Sequence, residues 1–178
     1  MVDRFALGNR TGPAAVAGEP GAVIRRGRDG VEMVNLVWGL APREEGGKPY
    51  AVIRSEGRRF PSHRCLVPAS EFFIATGSGE ERRRWRFSLA NGDFFYFAGI
   101  WRPRTTNWPP AYAMLTIPAN LDILPYRARQ MAVIRRADRR DWLDLARPEE
   151  QVLKPLPHKS FRVDLEEGPP LEPSAFAW

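Results

Sequence analysis

The chain has 178 residues, 43% of them hydrophobic, a formal net charge of +6 and one cysteine. A domain of that length buries about 70% of its unfolded surface, no run reaches the roughly 18 apolar residues of a membrane span, and no basic-then-apolar leader opens the chain, so a single cytoplasmic domain over 1–178 is expected. A lone Cys65 excludes an internal disulfide, and with His63 and His158 it offers no familiar metal-ligand spacing, so neither a metal nor a cofactor is expected.

The charge is unevenly placed. Residues 148–178 hold Lys154, Lys159 and Arg162 against Glu149, Glu150, Asp164, Glu166, Glu167 and Glu172, which gives that tail −3 and leaves +9 on residues 1–147. Of the 27 cations only Lys48, Lys154 and Lys159 are lysines, and the planar guanidinium is the better fork for phosphate. A polyanion such as nucleic acid is one partner this implies, and a merely solvated arginine-rich surface is the other reading.

In chain order, 8–21 is rich in Gly, Ala and Pro and poor in large apolar side chains, so it reads as a loop. Short apolar runs at 22–25, 33–38, 64–68, 85–89, 94–101, 111–117 and 131–135 each have strand length and are bounded by Gly or Pro. The run 85–89 and the run 94–101 flank Asn91-Gly92, which supplies the positive φ angles of a tight turn, and a hairpin is predicted there. A helix is predicted over 138–146, with Asp138 as its cap, Asp141 completing a partial capping box, and Trp142, Leu143, Leu145 and Ala146 as its apolar side. A second short helix should follow Pro148, and the proline-rich stretch from about 155 to 178 should lie extended over the body, pinned by Phe176 and Trp178. The fold class is therefore α+β: a mostly antiparallel, barrel-like sheet with a few short helices.

Four segments carry a resemblance. Trp38-Gly39-Leu40-Ala41-Pro42, Arg64-Cys65-Leu66-Val67-Pro68-Ala69, Phe97-Ala98-Gly99-Ile100-Trp101 and the block from Thr116 to Trp142, with Ala119-Asn120, Arg129, Val133-Ile134 and Trp142-Leu143, are similar in order and spacing to the SOS response-associated peptidase (SRAP) family. The resemblance covers roughly residues 1–165. It implies a β-rich fold and association with damaged single-stranded DNA, where an N-terminal Cys captures the aldehyde of an abasic site while an Asn, a Glu and a His position the sugar and move protons. It also implies peptidase action of the same Cys on the family's own N-terminal extension.

Each of those positions is altered in this chain. Met1-Val2-Asp3-Arg4-Phe5 aligns with the family's Met-Cys-Gly-Arg-Phe, so Val2 stands at the thiol position; Val52 in Val52-Ile53-Arg54-Ser55-Glu56 stands at the Asn, Ile74 at the Glu, and Arg127 at the His. Arg43-Glu44-Glu45 replaces the family's base-stacking aromatics. The resemblance thus implies a catalytically degenerate member, with Val2, Val52 and Ile74 expected to fill a former polar cleft with carbon. Arg4, Arg54 and Arg129 match family positions that grip DNA phosphates, and Glu56, which also persists at its family position, belongs to the same expected nucleic-acid-binding set; pairing of these arginines with Glu56 and Asp3 is the plainer alternative. Trp108 is the best exposed candidate to stack on a base, with loop anchoring as its alternative. Cys65 reads as a buried structural thiol, Glu71 as a solvated carboxylate, and His63 and His158 as surface residues. Two other functions stay open: a reversible imine between abasic DNA and the α-amine of Val2 after loss of Met1, and docking of a protein partner in the apolar former cleft.

Overall fold

The computed structural model describes the backbone of residues 2–6 and 14–166, and side chains from Val16 to Glu166. Its strands are β1 (Val2–Ala6), β2 (Ala14–Ala15), β3 (Pro20–Gly27), β4 (Gly30–Trp38), β5 (Val52–Arg54), β6 (Arg64–Ala69), β7 (Glu71–Thr76), β8 (Arg83–Leu89), β9 (Phe95–Arg102), β10 (Ala111–Pro118), β11 (Arg129–Met131) and β12 (Phe161–Glu166), with short helices α1 (Arg139–Leu143) and α2 (Glu149–Val152). Pairing runs β10–β4–β3–β6–β9 and returns from β9 to β10, so these five strands close a ring. Closure removes the free edges that an open sheet would expose. Most pairs are antiparallel, but β10 runs parallel to both β4 and β5. A second, wholly antiparallel sheet has the order β12-β8-β7-β1-β2.

Alternation along β10 explains how the layers form. Tyr112 and Met114 join one buried cluster with Trp38, Cys65, Val67, Phe72, Ile74 and Phe97. Ala111, Ala113, Leu115 and Ile117, one step out of phase, join a second cluster with Trp142, Leu143 and Val152 of the helices. With both faces covered, the strand reads as an unbroken apolar run. Phe72 ties the second sheet to the ring: it stacks on Phe87 with ring centroids 5.0 Å apart and meets Phe97 and Phe161 edge-on at 5.6 Å.

Several expectations are corrected. The Asn91-Gly92 turn exists, with the Gly92 N–H donating to the Leu89 carbonyl at 2.9 Å and φ +77° at Gly92, but β8 pairs with β7 and β12 while β9 pairs with β6 and β10. The turn is a crossing between sheets, and no hairpin forms. The chain enters the second sheet at Ser70, between β6 and β7, and returns at this turn. In the loop expected at 8–21, β2 forms at Ala14–Ala15 and β3 begins at Pro20; residues 8–13 lie outside the described residues. In the expected extended tail, Phe161–Glu166 forms an edge strand on β8, while Phe176 and Trp178 lie outside the described residues. The helix over 138–146 is shorter than expected. The Asp138 carboxylate accepts no capping bond because its backbone is already helical at the end of a 3-10 turn, and it pairs with Arg147 instead. Among the described residues no helix is long and apolar enough to cross a membrane, and no group of three His, Cys, Asp or Glu could hold a metal ion.

Candidate functional site

A cavity of about 330 Å³ opens beside the ends of β5, β10 and β11, and both Val52 and Arg127 line it, together with Arg129, Thr116, Trp38 and Tyr50. The strand register makes this juxtaposition. β5 lies along β10 with Val52 opposite Met114 and Arg54 opposite Thr116, while β11 pairs with the same stretch, Met131 opposite Thr116 and Arg129 opposite Pro118. Val2 and Ile74 are Cα partners between β1 and β7. Ile74 faces Trp85 across the next pairing, and the Trp85 ring lies 4.8 Å from Tyr126, the neighbour of Arg127 in sequence. Ile74 also shares its core cluster with Trp38, Ala51 and Met131 of the cavity wall.

The loop that presents Arg127 is built by Asn120, which is 5% exposed. Its side-chain oxygen accepts the Ile123 N–H at 3.2 Å, its backbone N–H donates to Gln130 at 2.6 Å, and its amide NH₂ donates to Asp122 at 3.1 Å. These bonds supply the turn that ends with the Arg127 N–H on the Ile123 carbonyl at 3.0 Å. A buried Asn must satisfy several bonds, and this loop geometry supplies them.

The two arginines of the cavity differ. Arg129 is fully engaged: its two terminal nitrogens donate to the two oxygens of Glu56 at 2.6 and 2.7 Å, and one of them also donates to the Thr116 carbonyl at 2.8 Å. The Arg129 hydrogen bonds hold the Glu56 carboxyl down at about 2. Arg127 is half-buried, burial pulls its pKa down, and no carboxylate pairs with it among the described residues. A guanidinium buried without a counter-charge is costly to the fold. Arg54 is exposed on β5 near Glu56. The Arg4 side chain lies outside the described residues.

The expectation of a carbon-filled cleft is corrected in part. Ile74 is completely enclosed, but Val52 is 44% exposed and the cleft stays open. Glu71 is also corrected: it is buried, with Arg86 3.8 Å away, because the strand turns it inward. Trp108 is half-buried rather than exposed, and its indole N–H donates to the Gly39 carbonyl at 3.0 Å, which anchors its loop. Cys65 is fully buried, and burial pushes its thiol far above the ordinary range. His63 and His158 are exposed. Sequence reasoning missed Thr116, Tyr50 and Gln130 as parts of the cavity, although Thr116 begins one of the matching blocks; Tyr50 and Gln130 carry no local signal. Several arginine runs are internally partnered, with Arg25 on Glu32, Arg26 on Asp144 and Arg84 on Glu166.

A five-strand ring closed against an antiparallel sheet, with a cleft where β5, β10 and β11 end, defines a β-rich α+β protein whose site lies at the strand ends. Residues 15–166 match the model of the SOS response associated peptidase (SRAP) family, and the chain belongs to that family. No curated protein matches it. The fold is similar to that of a protein from Bordetella bronchiseptica, at 22% identity and TM-score 0.74 over 92% of each chain. A protein from Bacteroides thetaiotaomicron is similar at 17% identity and TM-score 0.70, over 86% of this chain and 77% of that one. A phage-related protein from Bordetella bronchiseptica gives 17% identity and TM-score 0.72, over 93% and 94%.

Proposed function

We propose that this protein binds single-stranded or damaged DNA by non-covalent phosphate contact and carries none of the thiol chemistry of its family. The observation that supports this reading is Arg127: at a position where the family keeps a proton-transferring His, this chain has a permanent cation, half-buried in an open cavity and without a carboxylate partner among the described residues. Arg54 extends the phosphate contact at the rim. Arg129, held by Glu56 and Thr116, is the wall that fixes the cavity's shape. With Val2, Val52 and Ile74 at the other vacated positions, nucleophile, amide and carboxylic acid are all missing, so no ring closes on an abasic aldehyde and no peptide bond is cut.

Fluorescence anisotropy with an unmodified single strand, repeated across salt concentrations, tests the binding half. Arg127→Ala should flatten the slope of log affinity against log salt by about 0.7, the value of one single-strand phosphate contact; an unchanged slope would remove Arg127 from the interface. Incubation with an abasic oligonucleotide, with and without borohydride, tests the chemical half, and a covalent adduct would overturn it. A partner protein's apolar side chain in the same cavity is a second reading, favoured by the exposure of Val52; its binding would be nearly independent of salt.

A further inference from the structure

A second hollow, of about 520 Å³, lies between the end of β3, the start of β6, the end of β9 and the C-terminus of α1. His63, Trp101, Arg26, Asp144 and Leu145 line it. Two of the three non-glycine residues with positive φ among the described residues stand in its walls, His63 at +58° and Leu145 at +57°. Leu145 is the sharper case. After α1, the Ala146 N–H donates to the Asp141 carbonyl at 3.0 Å and the Leu145 N–H to the Trp142 carbonyl at 3.4 Å, the pair of bonds that ends a helix through a left-handed residue, normally glycine. A leucine there is strained, and its side chain is 43% exposed, so burial in the core does not explain why it is retained. Strain of this kind at two walls of one hollow points to a site.

The remaining walls indicate what it takes. The His63 ring meets Trp101 edge-on at 4.7 Å, and together with Leu145 they give the hollow apolar walls. The Ser62 hydroxyl is 2.9 Å from His63 Nδ1. The surroundings are cationic: Arg25 lies over Trp101 at 4.1 Å, and burial together with Arg102 and Arg25 keeps His63 below its ordinary pKa. Arg26 is paired with Asp144, whereas Arg102 has only its neighbour's carbonyl, at 3.0 Å, and no carboxylate among the described residues. Asp144 also lines the hollow; its carboxylate is held by Arg26 and, at 3.4 Å, by Arg140, and its oxygens keep further lone pairs for a donor.

We propose that this hollow is a nucleotide-binding site, with a base packed against Trp101, His63 and Leu145, its amino or imino hydrogens facing Asp144, and its phosphate held by Arg26 and Arg102. The nucleotide is either free or one residue of a single strand. This site is distinct from the cavity around Arg127 and does not rest on the function proposed for it. The chain has only two histidines, His63 and His158, so their imidazole resonances form a built-in reporter and control. Titration with thymidine 5′-monophosphate or with a thymidine hexanucleotide should move the His63 signals saturably and leave those of His158 in place. A shift with both arms assigns the site to nucleotides generally, and a shift with the hexanucleotide alone assigns it to single strands. Thymidine or inorganic phosphate should bind at least tenfold more weakly. An unmoved His63 in both nucleotide arms, parallel shifts of both histidines, or equal binding of inorganic phosphate would overturn the proposal. Leu145→Gly should raise the thermal midpoint by relieving the left-handed leucine while weakening nucleotide binding at least tenfold; unchanged affinity in that folded variant would also overturn it.

Discussion

Glu56 and Arg129 form the best-defined ion pair at the cavity, yet Glu56 is 44% exposed and its partner 24%, so solvent screening limits what the pair contributes. Its folded carboxyl titrates at about 2 against an ordinary 4.5. A depressed carboxylate stabilises the fold above its unfolded pKa and loses that contribution as pH falls toward the folded value. Glu56→Gln should therefore cost less than about 1 kcal/mol at neutral pH, and in urea melts the difference from the parent should vanish between roughly pH 4.5 and 2; a difference that persists at pH 2 would assign the effect to packing. The vacated positions give a second contrast. Ile74 is 0% exposed and Val52 44%, so restoring the family's side chains has very different consequences at the two sites. Ile74→Glu places an unpaired carboxylate in the core and should destabilise by about 3–5 kcal/mol, whereas Val52→Asn at the open rim should stay within about 0.5 kcal/mol; equal urea midpoints would mean that Ile74 is not enclosed. At this scale the sequence was informative for Ile74, which is enclosed as expected, and less so for Val52, which stands at an open rim. It was misleading for Glu71 and Trp108, whose burial depends on strands and carbonyls distant in the chain.

Within β9, Gly99 belongs to one of the matching motifs, and the reason is steric. A Cβ there would lie 2.9 Å from Cys65 Sγ and 3.0 Å from the Ala113 carbonyl oxygen, because β9 is squeezed between β6 and β10 in the ring. Gly99→Ala should cost about 1–3 kcal/mol, read from the chemical denaturation midpoint, and a neutral result would show that the ring yields locally. Strand positions were legible because their apolar runs are short and punctuated: β3, β4, β6, β8 and β10 contain the runs expected from sequence and β9 begins one residue after the start of its run, whereas of the run 131–135 only Met131, the last residue of β11, lies in a strand. Strand partners were not. A tight turn constrains only its own residues, so Asn91-Gly92 could not reveal that β8 and β9 part into different sheets. β12 alternates as Phe161-Arg-Val-Asp-Leu-Glu166, a half-buried strand pattern that the prolines around it obscured.

Across the whole molecule, one buried ion pair joins the helical segment to the ring. Arg64, at the start of β6, donates to Glu149 of α2 at 3.0 Å, to the Phe60 carbonyl at 2.9 Å and to the Arg147 carbonyl at 2.9 Å, and its guanidinium lies 4.3 Å from the Trp142 ring of α1. The Trp142 indole N–H in turn donates to the Cys65 carbonyl at 3.0 Å. Both charged side chains are almost fully enclosed, at 4% and 8% exposure, so neither tolerates loss of the other. Burial pushes the Glu149 carboxyl up, but the Phe60 N–H, its own backbone N–H and Arg64 together outweigh this and leave it below the ordinary range. Its contribution is then complete above the unfolded carboxyl's pKa and disappears as pH falls through the lowered folded value. Glu149→Gln leaves Arg64 buried without a counter-charge and should cost about 3 kcal/mol at pH 7. It should also remove the pH dependence of stability that this carboxylate supplies in the acid range. If the helical segment instead docks through Trp142, Leu143 and Val152 alone, the variant will unfold at the parent's urea midpoint, and the ion pair will prove incidental to how helices and ring hold together.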